Sequence, residues 1–217
     1  MNTLTDQCVL VTGGGSGIGL AAARGFLTAG ARVAIAGRNA DKLRRAAEAL
    51  SGGDRLIHHA ADVSYPDMVH RLVDDVTKRL GRIDILVNNA GLNVRERSFR
   101  ELTPARWDLL LAGNLNGAFH CIQAALPQMR ERQNGLIINV NSIAGKRANP
   151  LGGIGYVAAK FGLRGLAMGV AAEEKPNGIR VSSIYPGEVD TPILEQRPSP
   201  LSEEHRRTIL QPEDVAA

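Results

Sequence analysis

Six short runs of β-branched and aliphatic residues recur along the chain: CVLVT, RVAIAG, RLIHHA, IDILVNNA, GLIINVNS and IRVSSIYPG. Between them lie stretches with apolar residues at three- and four-residue intervals, such as NADKLRRAAEALSG and DMVHRLVDDVTKRLG, each closed by glycine as amphipathic helices are. Strands this apolar are covered on both faces. The β-α alternation therefore predicts an α/β fold of three layers, a doubly wound parallel sheet with helices on either side. In such sheets the ligand site lies beyond the C-terminal strand ends. With no internal repeat, low-complexity tract or linker, residues 1–217 read as one domain. The Pro- and charge-rich TPILEQRPSPLSEEHRR begins directly after a strand end and reads as a mobile loop over the site.

Composition narrows the class. The mixture of apolar and charged residues is that of a soluble globular protein. No long uninterrupted apolar run and no N-terminal leader pattern appear, which points to a cytoplasmic protein without a membrane partner. The net charge of +4 is spread among acids with no basic stripe, so no nucleic-acid partner is expected. Cys8 and Cys121 sit in apolar surroundings without metal-ligand spacing, and read as buried thiols with no metal site.

The strand-end rule selects candidate site residues: the glycines after LVT, Arg38, Asp62, Asn88 to Gly91, Ser142, Pro186 and Gly187. TGGGSGIG, residues 12–19, is a strand, a tight turn and a helix start. Its glycines would let backbone amides approach a pyrophosphate at the helix N-terminus. No register gives G-x-G-x-x-G, and Leu20-Ala21 exclude a nucleotide-triphosphatase loop; G-x-x-x-G-x-G fits on Gly13, Gly17 and Gly19. Where an acid would bind the ribose hydroxyls of NAD, the second strand ends in Gly37-Arg38. A guanidinium suits a 2′-phosphate, so NADP(H) is favoured over NAD(H).

Tyr156 and Lys160 stand at i and i+4, on one face of a predicted helix. A phenol that exchanges a proton at neutral pH needs its pKa lowered by roughly three units, about 4 kcal/mol, which a nearby ammonium helps to supply.

Taken in order, TGGGSGIG, NNAG at 88–91, NLNGAF with Asn114, NSIAG with Ser142, YVAAK at 156–160 and YPGEVDTP at 185–192 resemble the short-chain dehydrogenase/reductase family over essentially the whole chain. The resemblance implies a Rossmann-type fold and an NADP-dependent oxidoreductase of 3-oxoacyl-carrier-protein reductase type. It would transfer hydride between the cofactor and a small carbonyl or secondary alcohol, such as a 3-oxoacyl thioester or 3-hydroxy acid. By the same resemblance Tyr156 is the general acid or base, and Lys160 holds the nicotinamide ribose and lowers the tyrosine pKa. Ser142 hydrogen-bonds the substrate oxygen, and Asn114 holds a water linking Lys160 to solvent. Gly13, Ser16, Gly17, Ile18 and Gly19 would meet the pyrophosphate, and Asp62 and Val63 the adenine. Asn88, Ala90 and Gly91 would pack under the cofactor, with Pro186, Gly187, Val189 and Thr191 at its nicotinamide end. Thr12 and Asn89 tie strand ends together as readily as they touch a ligand.

Three departures stand out. Asn141 replaces a serine, the step from Ser142 to Tyr156 is one residue longer than usual, and the sequence ends at QPEDVAA, before the family's last strand. That leaves one sheet edge unpaired in a family that forms homodimers and homotetramers. A protein that binds NADP without turnover, as a sensor or scaffold, is the alternative. The arginines of LNVRERSFRELTP and ILEQRPSPLSEEHRR, with Lys146 and Arg147, read as solvated surface, with reception of an acidic substrate as the other possibility.

Overall fold

The computed structural model describes residues 3–217. Its strands are β1 (Cys8–Thr12), β2 (Arg32–Gly37), β3 (Leu56–Ala60), β4 (Ile85–Asn88), β5 (Gly135–Val140) and β6 (Ile179–Ile184), one within each apolar run. They form one parallel sheet in the order β3-β2-β1-β4-β5-β6, with Val9 facing Val33 on one side and Ile85 on the other. All five positions of β1 are buried, as expected of a central strand covered on both faces.

The helices are α1 (Gly17–Thr28), α2 (Ala40–Leu50), α3 (Pro66–Leu80), α4 (Pro104–Leu111), α5 (Gly117–Glu131), α6 (Ile154–Glu174), α7 (Glu203–Thr208) and α8 (Pro212–Ala216). Period-two alternation along β1 divides the core. Cys8 and Leu10 join Leu72 and Val76 of α3 and Cys121 and Met129 of α5, while Val9 and Val11 join Ala23 of α1 and Leu43 of α2. Both cysteines are buried free thiols, as their surroundings indicated. The chain winds outward from β1 through β2 to β3 and returns to the other side of β1 at β4. That reversal opens a crevice at the C-terminal ends of β1 and β4.

The edges are β3 and β6, so the side of β6 away from β5 carries no strand among the described residues. The segment read as a loop over the site is more ordered than its composition suggested. It holds a 3-10 turn (Pro192–Gln196) and α7, a parallel bridge between Val189 and Leu210 joins its two flanks, and α8 then lies beside α1. Local chemistry accounts for this. Ser202 accepts a hydrogen bond from the His205 amide at 3.1 Å, and Glu188 pairs with Arg197 at 2.8 Å and His205 at 2.7 Å. Among the described residues no helix is long and apolar enough to cross a membrane.

Candidate active site

A cleft of about 850 Å3 runs along the strand ends from Arg38 to Tyr156. Its floor is backbone. Gly13 turns the chain out of β1 at φ 66°, where a Cβ would lie 2.8 Å from Asn89 Nδ2 and 3.0 Å from the Ala90 Cα. Gly17, at φ 53°, begins α1, and a side chain there would meet Thr191 Cγ2 at 2.9 Å. Both need glycine. The first amides of α1 accordingly open toward the cleft, with Ser16, Gly17 and Ile18 in its lining. Gly19 is not in the lining. It is buried behind the turn, where a Cβ would come within 2.5 Å of the Gly13 carbonyl, so it lets α1 pack against β1.

Arg38 follows β2, exposed and in the lining, with no ion-pair partner among the described residues. Beside it lies Lys42, which the sequence reading missed. It belongs to the first turn of α2, where Asn39 Oδ1 accepts a hydrogen bond from the Lys42 amide at 2.8 Å, and its stem lies over Gly15. Asp62 and Val63 line the cleft after β3. The carboxylate of Asp62 accepts a hydrogen bond from the Ser64 amide at 2.9 Å.

Thr12 and Asn89 do tie strand ends together. The Thr12 hydroxyl donates to the Val87 carbonyl at 3.2 Å and accepts from the Asn89 and Ala90 amides, while Asn89 Nδ2 donates to the Thr12 and Gly13 carbonyls. Ala90 and Gly91 line the cleft, and Asn88 lies below it, buried and donating to Asn139 at 3.0 Å. Asn114 sits on a one-turn π-helix (Ala112–Asn116) between α4 and α5, a local form frequent at functional sites. Its amide donates to the Leu92 and Leu110 carbonyls at 2.9 and 2.8 Å and accepts from the Leu92 amide. The side chain thereby fixes the turn after Gly91. A Cβ on Gly91 would lie 2.9 Å from Asn114 Oδ1.

Ser142, Tyr156 and Lys160 meet at the far end. The substitution of Asn141 for serine has a geometric role: Asn141 is buried, accepts from the Ser142 amide at 3.0 Å and donates to the Lys160 carbonyl at 3.1 Å. It stitches the end of β5 to α6. Lys160 is buried and donates through Nζ to the Val140 carbonyl at 3.0 Å, with Nζ 5.6 Å from the centre of the Tyr156 ring. Burial brings its pKa down to about 8.

Burial pushes the Tyr156 pKa up, against a hydrogen bond from Ser142 and the charge of Arg97, which act to lower it. The Lys160 ammonium donates to the Val140 carbonyl. At neutral pH Tyr156 therefore holds its proton, the state a general acid needs for carbonyl reduction.

Pro186, Gly187, Val189 and Thr191 complete the lining after β6, and the Pro186 carbonyl accepts from the Ile143 amide at 3.0 Å. The arginines divide. Lys146, over the Tyr185 ring at 4.3 Å, and Arg147 are exposed and outside the lining, in keeping with solvated surface. Arg97 and Arg197 contradict that reading. Arg97 is 6% exposed, held by the Leu151 and Gln196 carbonyls, and Arg197, within the ordered segment after β6, joins it in the cleft wall. Nothing in their spacing marks them; Arg97 is enclosed by Leu151 and Gln196, distant in sequence, and Arg197 pairs with Glu188.

A parallel sheet that reverses at β1/β4, with a glycine turn into α1 at that point and a tyrosine-lysine pair across the cleft, defines a dinucleotide-dependent class of α/β protein. The short chain dehydrogenase family model matches residues 7–201, and the chain belongs to that family of oxidoreductases, which bind a nicotinamide cofactor. It is 39% identical over 194 residues to D-beta-hydroxybutyrate dehydrogenase of Rhizobium meliloti, covering 88% of this chain and 74% of the relative. To the 3-oxoacyl-(acyl-carrier-protein) reductase of Thermotoga maritima it is 36% identical over 226 aligned positions, 98% of this chain and 88% of the other. A solved metagenomic short-chain oxidoreductase in complex with NADP superposes with a TM-score of 0.83 at 35% identity, over 99% of this chain and 89% of that one.

Proposed function

We propose that the protein is an NADP(H)-dependent oxidoreductase that interconverts a carbonyl and a secondary alcohol, with Tyr156 as general acid in reduction and base in oxidation. The observation that carries this reading is one cleft lined by Arg38 at one end and by Ser142, Tyr156 and Lys160 at the other. The glycine turn fits a dinucleotide, since Gly13 and Gly17, held at positive φ with no room for a side chain, keep this part of the cleft lining backbone only. Arg38 and Lys42 would hold a 2′-phosphate, Gly13 to Ile18 the pyrophosphate, and Asp62 and Val63 the adenine, with Ala90 and Gly91 beneath. Pro186, Gly187, Val189 and Thr191 would flank the nicotinamide, and Lys160 its ribose. The cofactor supplies or accepts a hydride.

Within that frame Ser142 orients the substrate oxygen and stabilises its developing charge, and Tyr156 gives it a proton. Asn114 fixes the wall that both face. Gly19 and Asn88 act from behind the lining, through packing. A 3-oxoacyl thioester or 3-hydroxy acid is the substrate type favoured by likeness to the two named relatives. Exposed Phe119 on α5 and Phe161 and Met168 on α6 support assembly as a homodimer or homotetramer, which light scattering would read.

The experiment is a spectrophotometric assay of NADPH and NADH oxidation across a carbonyl panel. Turnover with NADPH preferred is the expected result. No turnover with any carbonyl, together with tight NADPH binding, would overturn it in favour of a sensor or scaffold.

A further inference from the structure

Resting on that reading, we infer that the cleft takes a substrate bearing a carboxylate on the chain attached to its reacting carbonyl, and that Arg97 receives this carboxylate.

Arg97 is buried in the wall of the cleft shared with Ser142 and Tyr156. Its Nε donates to the Val94 carbonyl at 2.8 Å, Nη1 to the Leu151 carbonyl at 2.8 Å, and Nη2 to the Gln196 carbonyl. A guanidinium has five N–H donors, so two remain. No carboxylate pairs with it among the described residues. Where this chain buries an acid it supplies a cation, as for Glu174 with Arg130 and Asp84 with Arg82. Arg97 is buried comparably and lacks the reciprocal partner. Carbonyl dipoles offset part of the cost of burying its charge, but an anion is the partner that compensates it fully.

Placement makes that anion a substrate group. The stem of Arg97 packs on Gly153, where a Cβ would lie 2.5 Å from the Arg97 Cβ, three residues ahead of Tyr156 at the start of α6. The guanidinium is thereby held at the tyrosine end of the cleft. Its proton affinity reports the same neighbours: lowered by burial and then by Arg197, and raised by Tyr156.

The charge count selects a monoanion. Arg197 is neutralised by Glu188 at 2.8 Å, and Asp62 and Glu188 are the acids lining the cleft. Arg97 and Arg197 against Glu188 leave one positive charge on this wall, apart from Lys160, whose ammonium donates to the Val140 carbonyl and is assigned to the nicotinamide ribose. A carboxylate matches that charge and the two remaining N–H donors, whereas a phosphate dianion would exceed the charge.

The test compares acetoacetate with methyl acetoacetate, which differ in the charge and one methyl, by NADPH oxidation in wild type, Arg97→Lys and Arg97→Gln. Wild type should favour the acid over the ester by tenfold or more in kcat/KM. Arg97→Gln should collapse that ratio toward one, through KM for the acid, and Arg97→Lys should retain part of it. Because Arg97 also joins three loops, a variant that fails to fold leaves the wild-type ratio and competitive inhibition by butyrate, but not butyramide, to decide. Equal use of acid and ester by wild type, or an unchanged ratio in a folded Arg97→Gln, would overturn the inference. Reduction of uncharged ketones with no preference for the acid would sink this inference alone. No reduction of any carbonyl would sink the oxidoreductase reading as well.

Discussion

At the glycine end of the cleft the wall is main chain. Gly13 and Gly17 are held at positive φ, the first amides of α1 face inward, and Thr12 and Asn89 lock β1 to β4 through backbone partners. At the tyrosine end the wall is side chains: Ser142, Tyr156, Lys160 and Arg97, brought in from the segments after β4 and β5. The difference separates two tasks. A backbone cradle holds a generic phosphate-bearing ligand, whereas fixed side chains with displaced proton affinities select and convert one particular group.

The sharpest break of this comparison is at Lys160. Lys160→Met should lower kcat by roughly 100-fold or more, as loss of a preorganised charged group does. The same change should stabilise the fold. The folded-state pKa of about 8 lies below the ordinary 10.5, so the charged form is penalised when folded. That penalty is full below about pH 8 and fades as pH rises toward the ordinary lysine value, so wild-type stability should rise across this window. Urea unfolding should show Lys160→Met ahead by about 1–2 kcal/mol near neutral pH, after the lost Val140 hydrogen bond is deducted, with the gap closing at high pH. A destabilised variant at neutral pH would contradict the account.

Next comes Gly19, behind the cradle. Gly19→Ala places a Cβ within 2.5 Å of the Gly13 carbonyl and should cost about 1–3 kcal/mol by urea unfolding, because backbone cannot step aside as a flexible side chain does. A neutral effect would mean the turn yields more easily than the Gly13–Gly19 contact implies.

The smallest effect is at Arg38. Arg38→Ala should weaken NADPH binding by about tenfold, some 1.4 kcal/mol, and leave NADH nearly unaffected. Lys42 keeps the loss from being larger. Equal loss for both cofactors, by calorimetry, would remove the 2′-phosphate reading.

The sheet was readable in the sequence because each strand is a short apolar run closed by a turn signal, and burial on both faces enforces that pattern. Tyr156, Lys160 and Ser142 were readable for a similar reason: short spacings on one helix and one strand end keep them together. Lys42 was hidden because a lysine in the first turn of a helix looks like any solvated lysine. Arg97 was hidden because its burial depends on Leu151 and Gln196, distant in sequence. That the Lys160 ammonium faces the Val140 carbonyl was not readable, since an i, i+4 spacing says nothing about which acceptor a lysine will find.

The most direct measurement is Tyr156→Phe, followed by NADPH binding and NADPH-dependent carbonyl reduction on the same preparation. Removing only the hydroxyl should leave the dissociation constant for NADPH within about threefold while turnover falls by roughly 100-fold or more, the scale of a lost general acid. Turnover equal to wild type would contradict the assignment of the proton to Tyr156, and with it the division of labour between the two ends of the cleft.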